Sequence, residues 1–230
     1  MKILIIEDEK ELAGSIVNYF SGQGYICECA YDFRTAEEKV GVYDYDCIIV
    51  DLTLPDGNGL NIVRKLKTEH SDVGIIIISA RNSTNDKVEG LEIGADDYLA
   101  KPFNLSELNA RLKSLIRRRC FSGQLEFDFN EIRIFPDSRY VYVGNEAVIL
   151  TRKEYDLLVY LVMNQDKVLT KEAIVEHLWG DCMGTETDTF DALYAHVRNL
   201  RKKLMEKGAR DYIKTIYATG YKFTLKIPIS

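Results

Sequence analysis

No apolar run in this chain approaches the roughly 18 residues that a helix needs to cross a bilayer, so insertion into a membrane is not expected. The opening Met1-Lys2-Ile3-Leu4-Ile5-Ile6 meets Glu7, Asp8 and Glu9 at once; it fails as a secretory leader, predicts a first strand, and implies a cytoplasmic protein. Histidine is scarce, with three in 230 residues, and the five cysteines at 27, 29, 47, 120 and 182 show neither an even count nor metal-ligand spacing. Those absences argue against a disulfide framework, a zinc site or redox chemistry, and for ordinary reduced thiols. Positive charge is in deficit overall, with a net charge of −6, which taken alone argues against nucleic acid.

The deficit is uneven. Acidic side chains outnumber basic ones over residues 1–120, whereas basic ones dominate 188–226, and a local basic patch binds phosphate whatever the global sign. The first 120 residues alternate short β-branched runs with amphipathic stretches. Strands are predicted near 2–6, 25–30, 46–51, 74–79 and 96–100, and helices near 9–21, 33–41, 58–69, 84–93 and 104–119. Five such βα units make a doubly wound, flavodoxin-like α/β domain with a five-stranded parallel sheet. Its strands end on polar groups: Glu7-Asp8 after the first, Asp51 after Cys47-Ile48-Ile49-Val50, Ser79 after Gly74-Ile75-Ile76-Ile77-Ile78, and Lys101-Pro102 after Asp97-Tyr98-Leu99-Ala100. In an open parallel sheet these ends share one edge. Three carboxylates gathered there repel one another unless a cation sits among them, and Mg²⁺ takes oxygen ligands while leaving positions for water and phosphate. The edge reads as built to phosphorylate Asp51.

After Arg117-Arg118-Arg119 the pattern changes, which places a linker at 120–124 between domains 1–119 and 125–230. Four short strands with turn signals run from 125 to 150, predicting an antiparallel sheet. Thr151-Arg152-Lys153-Glu154 is a capping box that opens a helix with Tyr155, Leu158 and Leu161 on its apolar face. A second helix is expected from Thr170 to about Leu178, then the loop 180–187. A third, about 188–206, lines up Phe190, Leu193, Val197, Leu200 and Leu204 and ends at Gly208. Projected at about 100° per residue, its outward face holds Asp191, Ala195, Arg198, Asn199 and Lys202. A hairpin over 212–217 and 221–226 follows, turning at Ala218-Thr219-Gly220. Helix-turn-helix followed by a wing points to DNA.

With these motifs in place, the chain resembles a two-component response regulator of the OmpR/PhoB type over nearly its full length. The resemblance rests on Glu7-Asp8, the run from Asp51 through Pro55 to Gly57, Ser79-Ala80-Arg81, the stretch Gly94 to Tyr98, Lys101-Pro102-Phe103, the stretch Leu200 to Lys203, and the stretch Thr215 to Tyr221. It implies a receiver domain followed by an α+β winged-helix effector that opens with an antiparallel sheet. Asp51 would take phosphate from a sensor histidine kinase, with Mg²⁺ held by Asp8, Asp51 and the Thr53 carbonyl, and Glu7 acting through water. Lys101, joined to Pro102 by a cis peptide bond, would pair with the acyl phosphate; Ser79 would hydrogen-bond it; Tyr98 would swing inward as Ser79 moves.

The same resemblance implies that the phosphorylated receiver forms a homodimer. Lys87 would meet Glu107, Asp97 would meet Arg111, Asp96 would meet Arg118 and Glu92 would meet Lys113, around Val88, Leu91 and Ala110. Double-stranded DNA would be met by Ala195, Arg198, Asn199, Arg201 and Lys202 on the helix, with Lys214, Tyr217 and Lys222 near the wing; Asn199 suits adenine. Tyr217 and Ala218 stand where many relatives carry arginine and glycine, and loop 180–187 would touch RNA polymerase. Two other readings stay open. One is an aspartyl-phosphate hydrolase, although the haloacid dehalogenase type carries an acid where this chain has Thr53. The other is a winged-helix factor that uses its receiver only to dimerise and needs no phosphate.

Overall fold

The computed structural model describes residues 1–69, 73–81, 84–120, 123–124, 126–180 and 186–225. It divides into two compact units, Met1–Gly123 and Gln124–Ser230. The expected linker at 120–124 and the loop 180–187 fall in part outside the described residues.

The first unit is built on five parallel strands: β1 Lys2–Ile6, β2 Ile26–Ala30, β3 Cys47–Asp51, β6 Gly74–Ser79 and β7 Asp97–Ala100, in the order β2-β1-β3-β6-β7. β1, β3 and β6 are buried along their whole length, as befits strands covered on both faces. Alternate side chains divide between the faces. Leu4, Ile6, Ile48, Val50, Ile75 and Ile77 pack in one core with Leu60, Val63 and Leu66 of α3 Gly59–Thr68 and Ala36 of α2 Phe33–Val42. The opposite positions, such as Ile3, Ile5, Ile49 and Ile76, are equally buried, and α1 Lys10–Gln23 contacts α5 Leu105–Cys120. α4 Thr84–Glu92 lies against β7.

Between β3 and α3 is an element too short to show a period in sequence, the two-residue strands β4 Thr53–Leu54 and β5 Gly57–Asn58. Asp56 at its turn accepts the Phe33 and Arg34 amides, 2.6 and 3.1 Å away, satisfying two donors at the start of α2. Asn58 caps α3 through the Leu60 amide at 3.0 Å. Far from these groups, Lys2 is wholly buried with its ammonium 2.8 Å from Glu28 and within 4.7 Å of the Tyr43 and Tyr45 ring centroids. Lys39 at 2.8 Å and the Tyr45 hydroxyl at 2.7 Å complete the shell of Glu28, and together they hold its carboxyl below the usual range despite burial.

The second unit opens with the antiparallel strands β8 Phe127–Phe129, β9 Ile132–Phe135, β10 Tyr140–Val143 and β11 Glu146–Val148. Thr151 and Glu154 form the full reciprocal cap on α6 Arg152–Met163. α7 Lys171–Trp179 and α8 Glu186–Glu206 complete three helices. Leu193, Val197, Leu200 and Leu204 of α8 are buried, Phe190 only partly, and Gly208 ends the turn at φ 96°. The hairpin is β13 Ile213–Ile216 and β14 Gly220–Phe223, with a third strand that sequence periodicity does not reveal, β12 Val168–Thr170, on the other edge of β14. Glycine is required at 220, because a Cβ there would lie 2.0 Å from the Leu169 carbonyl oxygen.

Candidate functional site

The ends of β1, β3, β6 and β7 bring together the side chains expected there. Glu7 is wholly buried, Asp51 is 5% exposed and Ser79 is buried, while Asp8 is open to solvent. Oxygen atoms of Glu7, Asp8 and Asp51 lie within 4.8 Å of one another, a hard all-oxygen donor set of the kind that suits Mg²⁺. Lys101, joined to Pro102 by a cis bond, reaches the same carboxylates: its Nζ is 2.6 Å from Asp51 Oδ2 and 2.7 Å from Glu7 Oε2. Burial works against the ammonium, but two anions outweigh it and raise the Lys101 pKa. Glu7 shares that one cation with Asp51, so its burial dominates and its pKa is raised as well. Asp51 Oδ1 accepts the Thr53 amide at 3.0 Å, and the short β4–β5 ladder, with Thr53 opposite Asn58, fixes the loop that carries Thr53.

Ser79 Oγ accepts the Arg81 amide at 3.1 Å. Tyr98, expected to swing inward, is already buried, and its hydroxyl donates to the Arg81 carbonyl at 2.6 Å. On the α4–β7–α5 face, Val88 and Leu91 are 45% and 46% exposed. Several of its charges are paired within the chain: Arg111 holds Asp97 at 2.9 Å and Glu107 at 2.8 Å, and Asp96 takes Arg119 at 2.9 Å and Lys67 at 3.8 Å. The Arg118 guanidinium reaches only the Asp96 carbonyl, at 3.5 Å. Ala110 and Glu92 are exposed; Lys87 and Lys113 are half-buried.

In the second unit, Asp191, Arg198 and Lys202 are exposed on α8, with Ala195 and Asn199 partly so. Lys214 and Lys222 stand directly opposite each other on β13 and β14. Like charges in cross-strand register repel, and on this face the Asp211 carboxylate, 3.7 Å from Lys214, offsets part of that repulsion. Tyr217 at the tip is 95% exposed, beside Ala218 at φ 60°. Arg201 differs from the other expected contacts, since its guanidinium is held by Asp211, the Ile213 carbonyl and Thr215. Two side chains beyond the projected face lie close by: Tyr194, 41% exposed, and Lys171, whose ammonium sits 5.3 Å from the Tyr194 ring centroid.

Comparison with known proteins decides what these two sites belong to. Residues 3–113 match the family described as response regulator receiver domain, and residues 144–223 match transcriptional regulatory protein, C terminal. Response regulator ArlR of Staphylococcus haemolyticus is 39% identical over 95% of this chain and 97% of its own length. The chain belongs to the OmpR/PhoB-type response regulators. ArlR of Staphylococcus saprophyticus is 40% identical over 96% of this chain and 97% of its own. A response regulator receiver domain protein from Methanospirillum hungatei, 24% identical, superimposes with a TM-score of 0.50 over 51% of this chain and 94% of its own, and bears on fold alone.

This response regulator is therefore a DNA-binding member of a two-component system, a transcription regulator rather than a metabolic enzyme, with a sensor kinase and DNA implied as partners. Receiver domains bind Mg²⁺ at an acidic pocket, and Glu7, Asp8 and Asp51 form such a cluster here. Among the described residues, no helix is long and apolar enough to cross a membrane.

Proposed function

We propose that Asp51 is the phosphoacceptor, and that its phosphorylation pairs two receivers and thereby places two copies of α8 on DNA. The observation that supports this best is the setting of the Asp51 carboxylate. It is nearly buried at a strand end, held by Lys101 and the Thr53 amide, and adjoined by Glu7 and Asp8. A carboxylate oxygen of Asp51 attacks the phosphorus of a kinase phosphohistidine; the new O–P bond forms as the P–N bond breaks, and the imidazole leaves with the electron pair. Mg²⁺, held by Asp8, Asp51 and the Thr53 carbonyl with Glu7 acting through water, would supply positive charge against the phosphoryl oxygens. Lys101 and Ser79 bind the other phosphoryl oxygens, and Tyr98 senses the movement of Ser79.

Dimerisation proceeds through Val88, Leu91 and Ala110, ringed by Lys87, Glu92, Asp96, Asp97, Glu107, Arg111, Lys113 and Arg118. Pairing raises the local concentration of two effector units, which strengthens binding to paired sites without new contacts. Residues 1–119 act as the receiver, 120–124 as a linker and 125–230 as the effector, in the cytoplasm. On DNA, Ala195, Arg198, Asn199 and Lys202 face the major groove, while Lys214, Tyr217 and Lys222 meet the backbone beside the wing. Residues 180–187 contact RNA polymerase.

The test is intact mass and solution molar mass after acetyl phosphate with Mg²⁺, for the wild type and Asp51→Asn. One phosphoryl adduct, lost in the variant and accompanied by a shift from monomer to dimer, is the expected result. An adduct that survives in Asp51→Asn removes Asp51 from this role.

A further inference from the structure

Arg201 lies on the flank of α8, next to the buried Leu200 and off the stripe of Asp191, Arg198 and Lys202. Its Nε donates to Asp211 Oδ1 at 3.1 Å, and its Nη2 donates to the Ile213 carbonyl and reaches Thr215 Oγ1 at 3.4 Å. Asp211 belongs to the connection out of α8, and Ile213 and Thr215 are alternate residues of β13, opposite Phe223 and Tyr221 of β14. One planar fork thus fastens the helix to both the connection and the first strand of the wing. Asp211 also has Lys214 at 3.7 Å, so the same carboxylate gathers a cation from the hairpin. A lysine at 201 would keep the charge but could not span these acceptors, because only the guanidinium holds its donors in a fixed plane.

We infer that Arg201 is a positioning residue: it fixes the wing at a set distance from α8 and does not itself touch DNA. The inference rests on the reading of α8 and the wing as the DNA-binding face. It separates the two arginines of that helix by role. Arg198 faces outward to meet DNA, whereas Arg201 sets the spacing between the surfaces that enter or flank the groove.

Hydrogen exchange of the Ile213–Ile216 amides in the full chain without DNA tests the brace directly. Charge-assisted bonds to a carboxylate and a carbonyl are strong enough that Arg201→Lys should speed this exchange about tenfold or more, with the unfolding midpoint of the second unit lowered only by the matching amount, since an interaction lost on local opening is lost on unfolding too. Asp211→Asn should act in the same direction, and the double variant should add less than the sum of the two. Binding to a duplex selected from random sequence then tests the role on DNA. Arg201→Lys should lose about tenfold in affinity with an unchanged slope of log affinity against log salt, and should lose backbone protection only on the flank covered by the wing. Arg198→Met should lower that slope by about one, the mark of a lost phosphate contact. The inference is overturned if exchange in Arg201→Lys matches the wild type. It is equally overturned if Arg201→Lys binds as the wild type does while Arg201→Met lowers the slope by one, since Arg201 would then be a phosphate contact. Faster exchange in Arg201→Lys combined with no salt-dependent DNA binding by the wild type would support the brace and remove the DNA-binding reading instead.

Discussion

Replacing Lys101 with methionine keeps the bulk of the stem and removes the positive charge between two buried acids. The ammonium is 2.7 Å from a Glu7 oxygen and 2.6 Å from an Asp51 oxygen, and the three side chains are 17%, 0% and 7% exposed. With charge centres about 4 Å apart, each attraction is about 4 kcal/mol at an effective dielectric of about 20. Desolvation cancels much of that when the cluster forms, but removing one partner leaves buried charge uncompensated, at a cost of about 3–5 kcal/mol. Lys101→Met should therefore lower the stability of the first unit by about 3 kcal/mol at neutral pH in a chelator, measured by urea unfolding with far-ultraviolet circular dichroism. The chain's single tryptophan, Trp179, belongs to the second unit, and its fluorescence transition serves as an internal control.

Two conditions should narrow the gap from the wild type. Millimolar Mg²⁺ replaces the missing cation and should stabilise the variant more than the wild type, in which Lys101 competes for the same carboxylates. Acid should act in the same direction. The folded pKa of Glu7 is raised by burial, and rises further without Lys101, so the folded state binds the proton more tightly than the unfolded one. The penalty is therefore fully present above the folded pKa and fades as pH falls through it toward the unfolded value of 4.5. A deficit that is unmoved both by Mg²⁺ and by a shift from pH 7 to about 5 would refute the electrostatic account of this pocket.

Glu28→Gln strips the carboxylate from a wholly buried Lys2 and should cost about 3–5 kcal/mol in a urea titration. Because the Glu28 pKa is lowered, the wild type should lose this stabilisation in acid, as pH falls from the unfolded value of 4.5 through the folded one, and the gap between the two proteins should close there. Gly59→Ala places a Cβ 2.1 Å from the Asp51 carbonyl oxygen; the rate of phosphorylation by acetyl phosphate should fall between about tenfold and a hundredfold, with helix content by circular dichroism unchanged. Thr151→Ala breaks the capping box of α6 and should cost the second unit about 1 kcal/mol, read from the Trp179 fluorescence transition in urea.

The parallel sheet was legible because its three central strands are buried on both faces and therefore run as unbroken apolar stretches, such as Ile75 to Ile78, that end on polar groups. The same property exposed the pocket: a carboxylate or ammonium that follows an apolar strand is conspicuous. The α6 cap was legible for a different reason, since Thr151 and Glu154 sit at the one spacing that lets each side chain reach the other's amide. Strands β4, β5 and β12 were not legible, being two or three residues long and ordered by partners distant in sequence, as when β14 recruits Val168 to Thr170. Helical periodicity separated the core face of α8 from its outward face but says little about its flanks. That is why Arg201 reads as a surface cation in sequence, although its guanidinium is engaged by β13. Side-chain pairing was likewise open: Asp97 and Arg111 complement each other equally well within a chain or between chains.

That last pair changes the thermodynamic character of the face it lies on. Because Asp97 already holds Arg111 and Asp96 already holds Arg119, a partner arriving at α4, β7 and α5 finds few unoccupied charges among them. For these groups, association there would exchange one ionic neighbour for another rather than add new ones. Its free energy would then come mainly from the exposed flanks of Val88 and Leu91, and because salt weakens the pairs on both sides of the exchange alike, it should shift the equilibrium little. The face thus resembles a latch closed on itself, since Asp96, Asp97 and Arg111, which would bind the second copy, are already engaged at rest.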